Sequence, residues 1–423
     1  MKILNTNKIR YIIRNNKTTL TNFSYLTILQ IFLLFSPFIT YPYLIRVLGL
    51  ELNGVIVFAQ SLSNYLSLVI NFGFNIYGTR LISVNKHNVN FLNEIISIIY
   101  TCKFIIWILL LFLWILILVT FDFFRNYFFV YFVSYFLTFS ELLIPVWLFQ
   151  GLENMKYITI INISTKLFFL LFIFICVRTS YDLYWVPILN SLGSLIGGGI
   201  SLWLVFSRLK FKYSLPSMCN IILYMKESAP LFLSTVSIQI YANINKLLIG
   251  STLGMREVSI YDICEKIMIL LKLPLQTIQQ VIFPKISREK NISYVNKMLI
   301  WVFVINVTIC IIVFFASPFI MQYMLGYIYT SGIIVLIIMS CTFIVSGLNL
   351  FLGGCRLLPW GYTNLYTKIS VVNCLVFVIL CTFLYGFNIV SIYTITMLNL
   401  ITEIVSFILL VKYNRKLGIL YDK

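Results

Sequence analysis

Charge is what this chain has least of. Only 10% of its 423 residues are Asp, Glu, Lys or Arg, while 61% are hydrophobic, a balance outside that of soluble domains of this size. Histidine is almost missing. His87 is the only one and falls between apolar runs, which argues against a histidine-based metal site or catalytic triad. Nine cysteines occur without a C-x-x-C pair or metal-ligand spacing, mostly inside apolar runs, so they read as small apolar side chains. Long polar connections are also lacking: the stretches between apolar runs stay under about 25 residues, too short for a separate catalytic module. No catalytic residue, metal or cofactor is therefore expected.

What is present is a succession of apolar runs long enough to cross a ~30 Å hydrocarbon core. They predict an all-α membrane protein with twelve spans, at approximately 23–45, 54–74, 95–119, 127–149, 158–178, 183–206, 229–250, 258–283, 298–316, 330–352, 366–384 and 389–411. Residues 317–328 leave room for a short interfacial piece. The basic stretch from Lys2 to Lys17 leads into a run too long for a signal-peptide h-region and without a small-residue cleavage site, so it reads as the first span. Pro37, Pro42, Pro145 and Pro274 mark expected kinks.

The formal net charge of +18 raises a nucleic-acid reading, which the distribution of the charge opposes. Of 31 lysines and arginines, 22 fall on the side of the N-terminus. Four lie opposite (Arg46, Arg125, Arg178, Arg256), and five lie inside spans (Lys103, Lys166, Lys246, Lys266, Lys272). This split predicts both termini in the cytoplasm.

Polar side chains inside the spans carry the functional signal. In the eighth span, Glu265, Lys272, Gln276 and Gln279 fall within an arc of about 60° on a helix. A charge at the bilayer centre costs about 2.5–3.5 kcal/mol on the insertion scale, so such a stripe is expected to face protein or water. The second span repeats the pattern: Gln60, Asn64, Ser67, Asn71 and Asn75 cover an arc of about 80°. An offset of 205 residues maps Gly49 to Gly254, Gln60 to Glu265, Ser67 to Lys272, Asn71 to Gln276 and Arg80 to Lys285. Six spans in each half predict parallel repeats, with lobes at 1–212 and 213–423. The seventh span adds Ser234, Ser237, Tyr241 and Asn245 on one face, and Gln239, Asn243 and Lys246 on another. Glu141 in the fourth span and Glu403 in the twelfth are further acids, and Lys103 and Lys166 either snorkel or pair with carboxylates on neighbouring spans.

At several motifs the chain resembles the Wzx-type lipid-linked oligosaccharide (O-antigen/polysaccharide) flippases of the multidrug/oligosaccharidyl-lipid/polysaccharide (MOP) exporter superfamily. The residues are Pro42-Tyr43-Leu44-Ile45-Arg46-Val47-Leu48-Gly49 with Gly54, Asn71-Phe72-Gly73-Phe74 with Gly78-Thr79-Arg80, and Pro145-Val146-Trp147-Leu148-Phe149-Gln150-Gly151. In the second half they are Tyr261 with Glu265-Lys266, Pro284-Lys285-Ile286-Ser287, and Leu357-Leu358-Pro359-Trp360-Gly361. The resemblance implies two six-helix lobes, V-shaped around a central cavity. It also implies movement of an undecaprenyl-diphosphate-linked glycan to the periplasmic leaflet of a bacterial inner membrane. The family often has an acid where this chain has Asn71, which puts an ion-coupling role for that position in doubt.

The residues fit such a substrate. Lysine is a point-charge partner for phosphate, so Lys272 and Lys246 are candidates for the diphosphate. Glu265, Gln276, Gln279, Gln60, Asn64, Asn71, Asn75, Tyr241 and Asn245 can hydrogen-bond sugar hydroxyls. Arg80 and Lys285 sit at the cytoplasmic mouth, and Glu141 and Glu265 are the possible coupling carboxylates. Other readings stay open: a drug or cation antiporter of the same fold, a membrane-embedded glycan polymerase or glycosyltransferase, and a scaffold for glycan assembly. Expected partners are the lipid-linked glycan, the bilayer, and the polymerase and chain-length proteins of the same pathway, with no nucleic acid.

Overall fold

The computed structural model describes residues 17–419, leaving aside the side chains of 17–20, Phe23, Ser234, 237–238, 240–243, 280–281 and 284–285. The expectations for Lys2 to Lys17 and for the side chains of Ser234, Ser237, Tyr241, Asn243 and Lys285 lie outside the described residues. Among the described residues all regular structure is helical.

The chain forms α1 and α2 as two arms of Lys17–Asn71, then α3 (Phe74–Val84), α4 (Val89–Thr120), α5 (Asp122–Gly151, in short pieces), α6 (Met155–Cys176) and α7 (Ser180–Arg208). After these come α8 (Met218–Thr252), α9 (Met255–Glu289), α10 (Ile292–Leu325), α11 (Thr330–Leu357), α12 (Thr363–Gly386) and α13 (Ile392–Lys416). Nine helices among the described residues are long and apolar enough to cross a membrane. The α1–α2 helix counts once in that nine. Neither α8 nor α9 is among them; α9 carries Arg256, Glu257, Asp262, Glu265, Lys266 and Lys272. The nine helices make this a multi-pass membrane protein.

Two glycines set hairpins. Gly49, at φ 82° and ψ 169°, interrupts Lys17–Asn71 and separates α1 (17–48) from α2 (50–71). Gly254, at φ 102° and ψ 172°, separates α8 from α9. Positive φ is open to glycine at little cost, and these two residues, 205 positions apart, share one conformation. Elsewhere the boundaries follow local chemistry. Asn88 and Asn291 accept from the backbone N–H of Phe91 and Tyr294 and so start α4 and α10. Ser391 and Thr394 form a reciprocal cap at the start of α13.

The expected kink at Pro145 is a break: helix stops at Leu143 and resumes at Val146, because proline has no N–H and pushes the preceding residue out of the helical region. Pro37 and Pro42 leave helical backbone uninterrupted. α10 continues to Leu325, so 317–325 extends that helix instead of forming an interfacial piece. α2 ends sooner than the predicted 74, because Phe72 (φ 46°) and Gly73 (φ 78°) turn the chain before α3.

The chain divides into two compact units. Unit 1 holds the described residues up to Thr40 together with Ala59–Ser237; unit 2 holds Tyr41–Phe58 and the described residues from Ile238 onward. In unit 1, Phe74, Ile95, Ile99, Trp147, Phe149 and Ile161 form a fully buried apolar core, and α6 packs along α7. The segment after α7 is laid on α4: the Lys212 and Ser214 amides donate to Asn93 Oδ1 (2.9 Å) and Ser97 Oγ (3.0 Å), and Tyr213 meets Thr101 (2.8 Å). Asn93, Ser97 and Thr101 are one helical face at four-residue spacing. In unit 2, α11 is central, packed by α9, α10 and α13. The outer faces are apolar, as at Phe112 (68% exposed) on α4 and Phe319 (73% exposed) on α10, which suits lipid contact.

Candidate functional site

Unit 2 holds the densest group of buried charge. Lys246 of α8 reaches α9, its Nζ lying 2.5 Å from Asp262 Oδ1 and 2.5 Å from Glu265 Oε2. α8 and α9 form an antiparallel hairpin at Gly254, which brings residues on either side of the turn level. Asp262 and Glu265 sit one turn apart on the same side of α9. The Tyr41 hydroxyl donates to the other oxygen of Asp262. Asp262 is buried, Lys246 nearly so, and Glu265 half-buried. Two carboxylates share one ammonium directly, and the charge of Lys266 also reaches Asp262. Buried charges persist only when paired and hydrogen-bonded in this way.

Beside this cluster runs a crevice within unit 2. Its first part, about 420 Å³, is lined by Asn245, Tyr261, Glu265, Lys272, Asn399 and Glu403 among others. Its second part, about 270 Å³, shares Lys272 and Glu403 and continues past Gln276, Asn349, Tyr366 and Asn373. Asn399 joins three helices, accepting from Asn245 Nδ2 (3.2 Å) and donating to the Tyr261 hydroxyl (3.1 Å). Asn349 Nδ2 donates to Glu403 Oε2 (2.6 Å) and to the Glu403 carbonyl (2.9 Å). Lys272 is in no ion pair with a described residue and is partly exposed. Its ammonium can therefore take an anion.

Unit 1 treats its buried charge differently. Lys103, 1% exposed, pairs with Glu141 at 2.7 Å and also donates to the Glu141 carbonyl (3.1 Å). Asn75 Nδ2 donates to the same carboxylate (3.3 Å), and the Asn75 amide donates to Asn71 Oδ1 (3.1 Å). The pair is one to one, and Asn75 Oδ1 beside it is buried without a hydrogen-bond partner among the described residues.

The Gly49 hairpin packs inside unit 2 against the Gly254 hairpin. Asn53 Nδ2 donates to Ser259 Oγ at 2.6 Å, and Arg46 donates to the Tyr323 carbonyl at 3.1 Å. A Cβ at Gly54 would lie 1.7 Å from the Met255 carbonyl oxygen, so glycine alone permits this approach.

The residues predicted for one cavity are divided between the two units. In unit 2, Lys246, Glu265, Lys272, Gln276 and Asn245 gather at the cluster and crevice, while Gln279 donates to the Leu350 carbonyl at 3.3 Å. In unit 1, Gln60 is half-buried, Asn64 and Arg80 are exposed, and Asn71 and Asn75 lie together near Glu141. The turn at Phe72 and Gly73 puts Asn75 on α3, where its amide still donates to Asn71 Oδ1. Lys246, a candidate for phosphate, is occupied by two carboxylates. Lys103 takes the pairing alternative. Sequence reasoning missed Asp262, Tyr41 and Asn399. The signal for Asp262 was its spacing: it lies three residues before Glu265, about 60° away around the helix.

The family described as "Polysaccharide biosynthesis protein" matches residues 19–290. Over 366 residues the chain is 27% identical to a protein of Escherichia coli (strain K12) named "Putative O-antigen transporter", covering 84% of this chain and 88% of the relative. A Shigella dysenteriae protein of the same name is 27% identical over 362 residues, covering 84% and 89%. Two solved structures share the fold. The inward-facing conformation of a multidrug resistance MATE family transporter of the MOP superfamily superposes with a TM-score of 0.70 at 11% identity, covering 90% of this chain and 95% of that one. The lipid II flippase MurJ in its inward closed conformation gives 0.67 at 13% identity, covering 92% and 87%. With a helical membrane fold of the MATE and MurJ kind, and with a match over more than half its length, the chain belongs to the polysaccharide biosynthesis protein family.

Proposed function

We propose that the protein is a flippase that moves an undecaprenyl-diphosphate-linked oligosaccharide unit from the cytoplasmic to the periplasmic leaflet of a bacterial inner membrane by alternating access. The observation that carries this reading is Lys272. It is an ammonium outside any ion pair with a described residue, on the wall of a polar crevice among membrane helices, in a chain of the polysaccharide biosynthesis family. Lys272 engages the diphosphate, and the amides and hydroxyls around it receive sugar. Both coupling carboxylates meet lysine: Glu265 shares Lys246 with Asp262, whereas Glu141 has Lys103 to itself.

Twelve spans in two repeats at 1–212 and 213–423, with both termini cytoplasmic, belong to the same proposal. The nine apolar helices, the division at Gly49 and the two polar helices α8 and α9 support the span number. The matching backbone at Gly49 and Gly254 supports the repeat. Arg80 and Lys285 draw the headgroup to the cytoplasmic mouth, and the polymerase and chain-length proteins receive the product. The chain acts as a carrier, without bond chemistry.

In a host lacking its own copy, the Lys272→Ala protein is expected to insert at normal levels yet fail to restore surface glycan. Near-normal glycan display would overturn the assignment. One observation favours a second reading: Glu265 and Glu403 line the crevice beside a single lysine, Lys272, as a cationic cargo would require. Drug or ethidium efflux by the wild type, with no effect on glycan display, would select that antiporter.

A further inference from the structure

Helix α13 presents two different faces within unit 2. Glu403, Ser406 and Leu410 line the crevice. About half a turn away around the helix, Ile408 (57% exposed), Lys412 and Arg415 face outward. There a recess of about 500 Å³ is lined, among the described residues, by Phe407, Ile408, Val411, Lys412, Arg415 and Lys416. Its two parts follow one another along the axis: the apolar side chains come first, and the cations occupy the end of the helix. No described carboxylate is in ion-pair range of these three cations, whereas Lys86 has Glu153 at 2.8 Å and Arg288 has Glu289 at 3.5 Å. The backbone that carries them is fixed from the other side. Asn414, fully buried, donates to the Leu352 carbonyl of α11 (3.3 Å), and Arg356 of α11 donates to the Ile419 carbonyl (3.1 Å) just past the helix. Cations at a helix C-terminus also complement its dipole, but that effect needs no apolar recess beneath them.

We infer that this outer face of α13 holds an anionic phospholipid of the surrounding bilayer, its phosphate against Lys412, Arg415 and Lys416 and part of an acyl chain along Phe407, Ile408 and Val411. The ligand carries its two parts in the order the face presents them, charge at the end of the apolar span and hydrocarbon below it. A zwitterionic phospholipid fits the apolar part equally well, so net negative charge is what the three cations select. The site lies on the opposite face of α13 from the crevice, and it does not depend on what the crevice carries.

The probes are phosphatidylglycerol and phosphatidylcholine with identical acyl chains, titrated onto the full chain in detergent and resolved by native mass spectrometry. The tightest-bound phosphatidylglycerol is expected to exceed phosphatidylcholine in affinity roughly a hundredfold, about fivefold for each cation. Arg415→Gln alone costs about fivefold, and Lys412→Gln, Arg415→Gln and Lys416→Gln together remove the preference. Arg208→Gln, Lys210→Gln and Lys212→Gln together lower the net charge by the same amount and keep it. Val411→Trp, which fills the recess, weakens both lipids. Equal wild-type affinities, or a preference that survives the α13 triple variant, would overturn the site. So would a preference lost equally in the Arg208, Lys210 and Lys212 variant, which would mean diffuse attraction to a basic protein. Unchanged binding by Val411→Trp would overturn the place given to the acyl chain.

Discussion

The two units bury charge in opposite ways. In unit 1, Lys103 and Glu141 form a closed pair, one ammonium to one carboxylate, with Asn75 filling a further acceptor site. In unit 2, Lys246 serves two carboxylates, a tyrosine from the first span caps one of them, and a second lysine a short way along α9 is left outside any described ion pair. A one-to-one pair reads as structure. A shared cluster opening on a crevice lined by Lys272 and Glu403 leaves charged groups within reach of a ligand. The asymmetry matches the proposed repeat, in which Gln60 and Ser67 of the first half stand for Glu265 and Lys272 of the second.

The largest test of this contrast removes the lysines. Lys246→Met strands two carboxylates and Lys103→Met strands one; each is expected to cost about 3–5 kcal/mol, read as loss of unfolding resistance in detergent. Replacing whole groups separates the units. Lys103→Met with Glu141→Leu should recover both stability and glycan display, since an apolar set can replace a buried ion pair. Lys246→Met with Asp262→Leu and Glu265→Leu should recover stability alone. Normal display by that triple variant would erase the distinction. A smaller effect is expected from Tyr41→Phe, which removes one hydrogen bond to a carboxylate: about 1.5–3 kcal/mol, with Asp262 still held by Lys246. Unchanged stability would show that the Tyr41 contact is idle. The smallest belongs to Lys86→Ala, which breaks the partly exposed Lys86–Glu153 pair at 2.8 Å. Such pairs contribute about 0–1 kcal/mol, and a larger loss of thermal stability would mean that surface charge is undervalued here.

Much of the architecture was legible because membrane helices announce themselves by apolar length, and because Gly49 and Gly254 mark turns that other residues do not favour. The stripe on α9 was legible in phase, since helical periodicity places Glu265, Lys272 and Gln276 on one side. Partners were harder to read. Lys246 meets Asp262 and Glu265 only because two helices fold back at Gly254, and no periodicity within either helix encodes which side chains then come level. Tyr41 is farther still in sequence and reaches Asp262 through tertiary packing alone. The end of α2 was hidden for a local reason: the positive φ of Phe72, a bulky residue that rarely adopts it, closes the helix before Asn75.

Protein reconstituted into liposomes with a fluorescent undecaprenyl-diphosphate-linked oligosaccharide should make the inner-leaflet pool accessible to an external glycosidase, and Lys272→Ala should reduce that rate to the level of protein-free liposomes. Equal rates for wild type, Lys272→Ala and protein-free liposomes would contradict the flippase proposal.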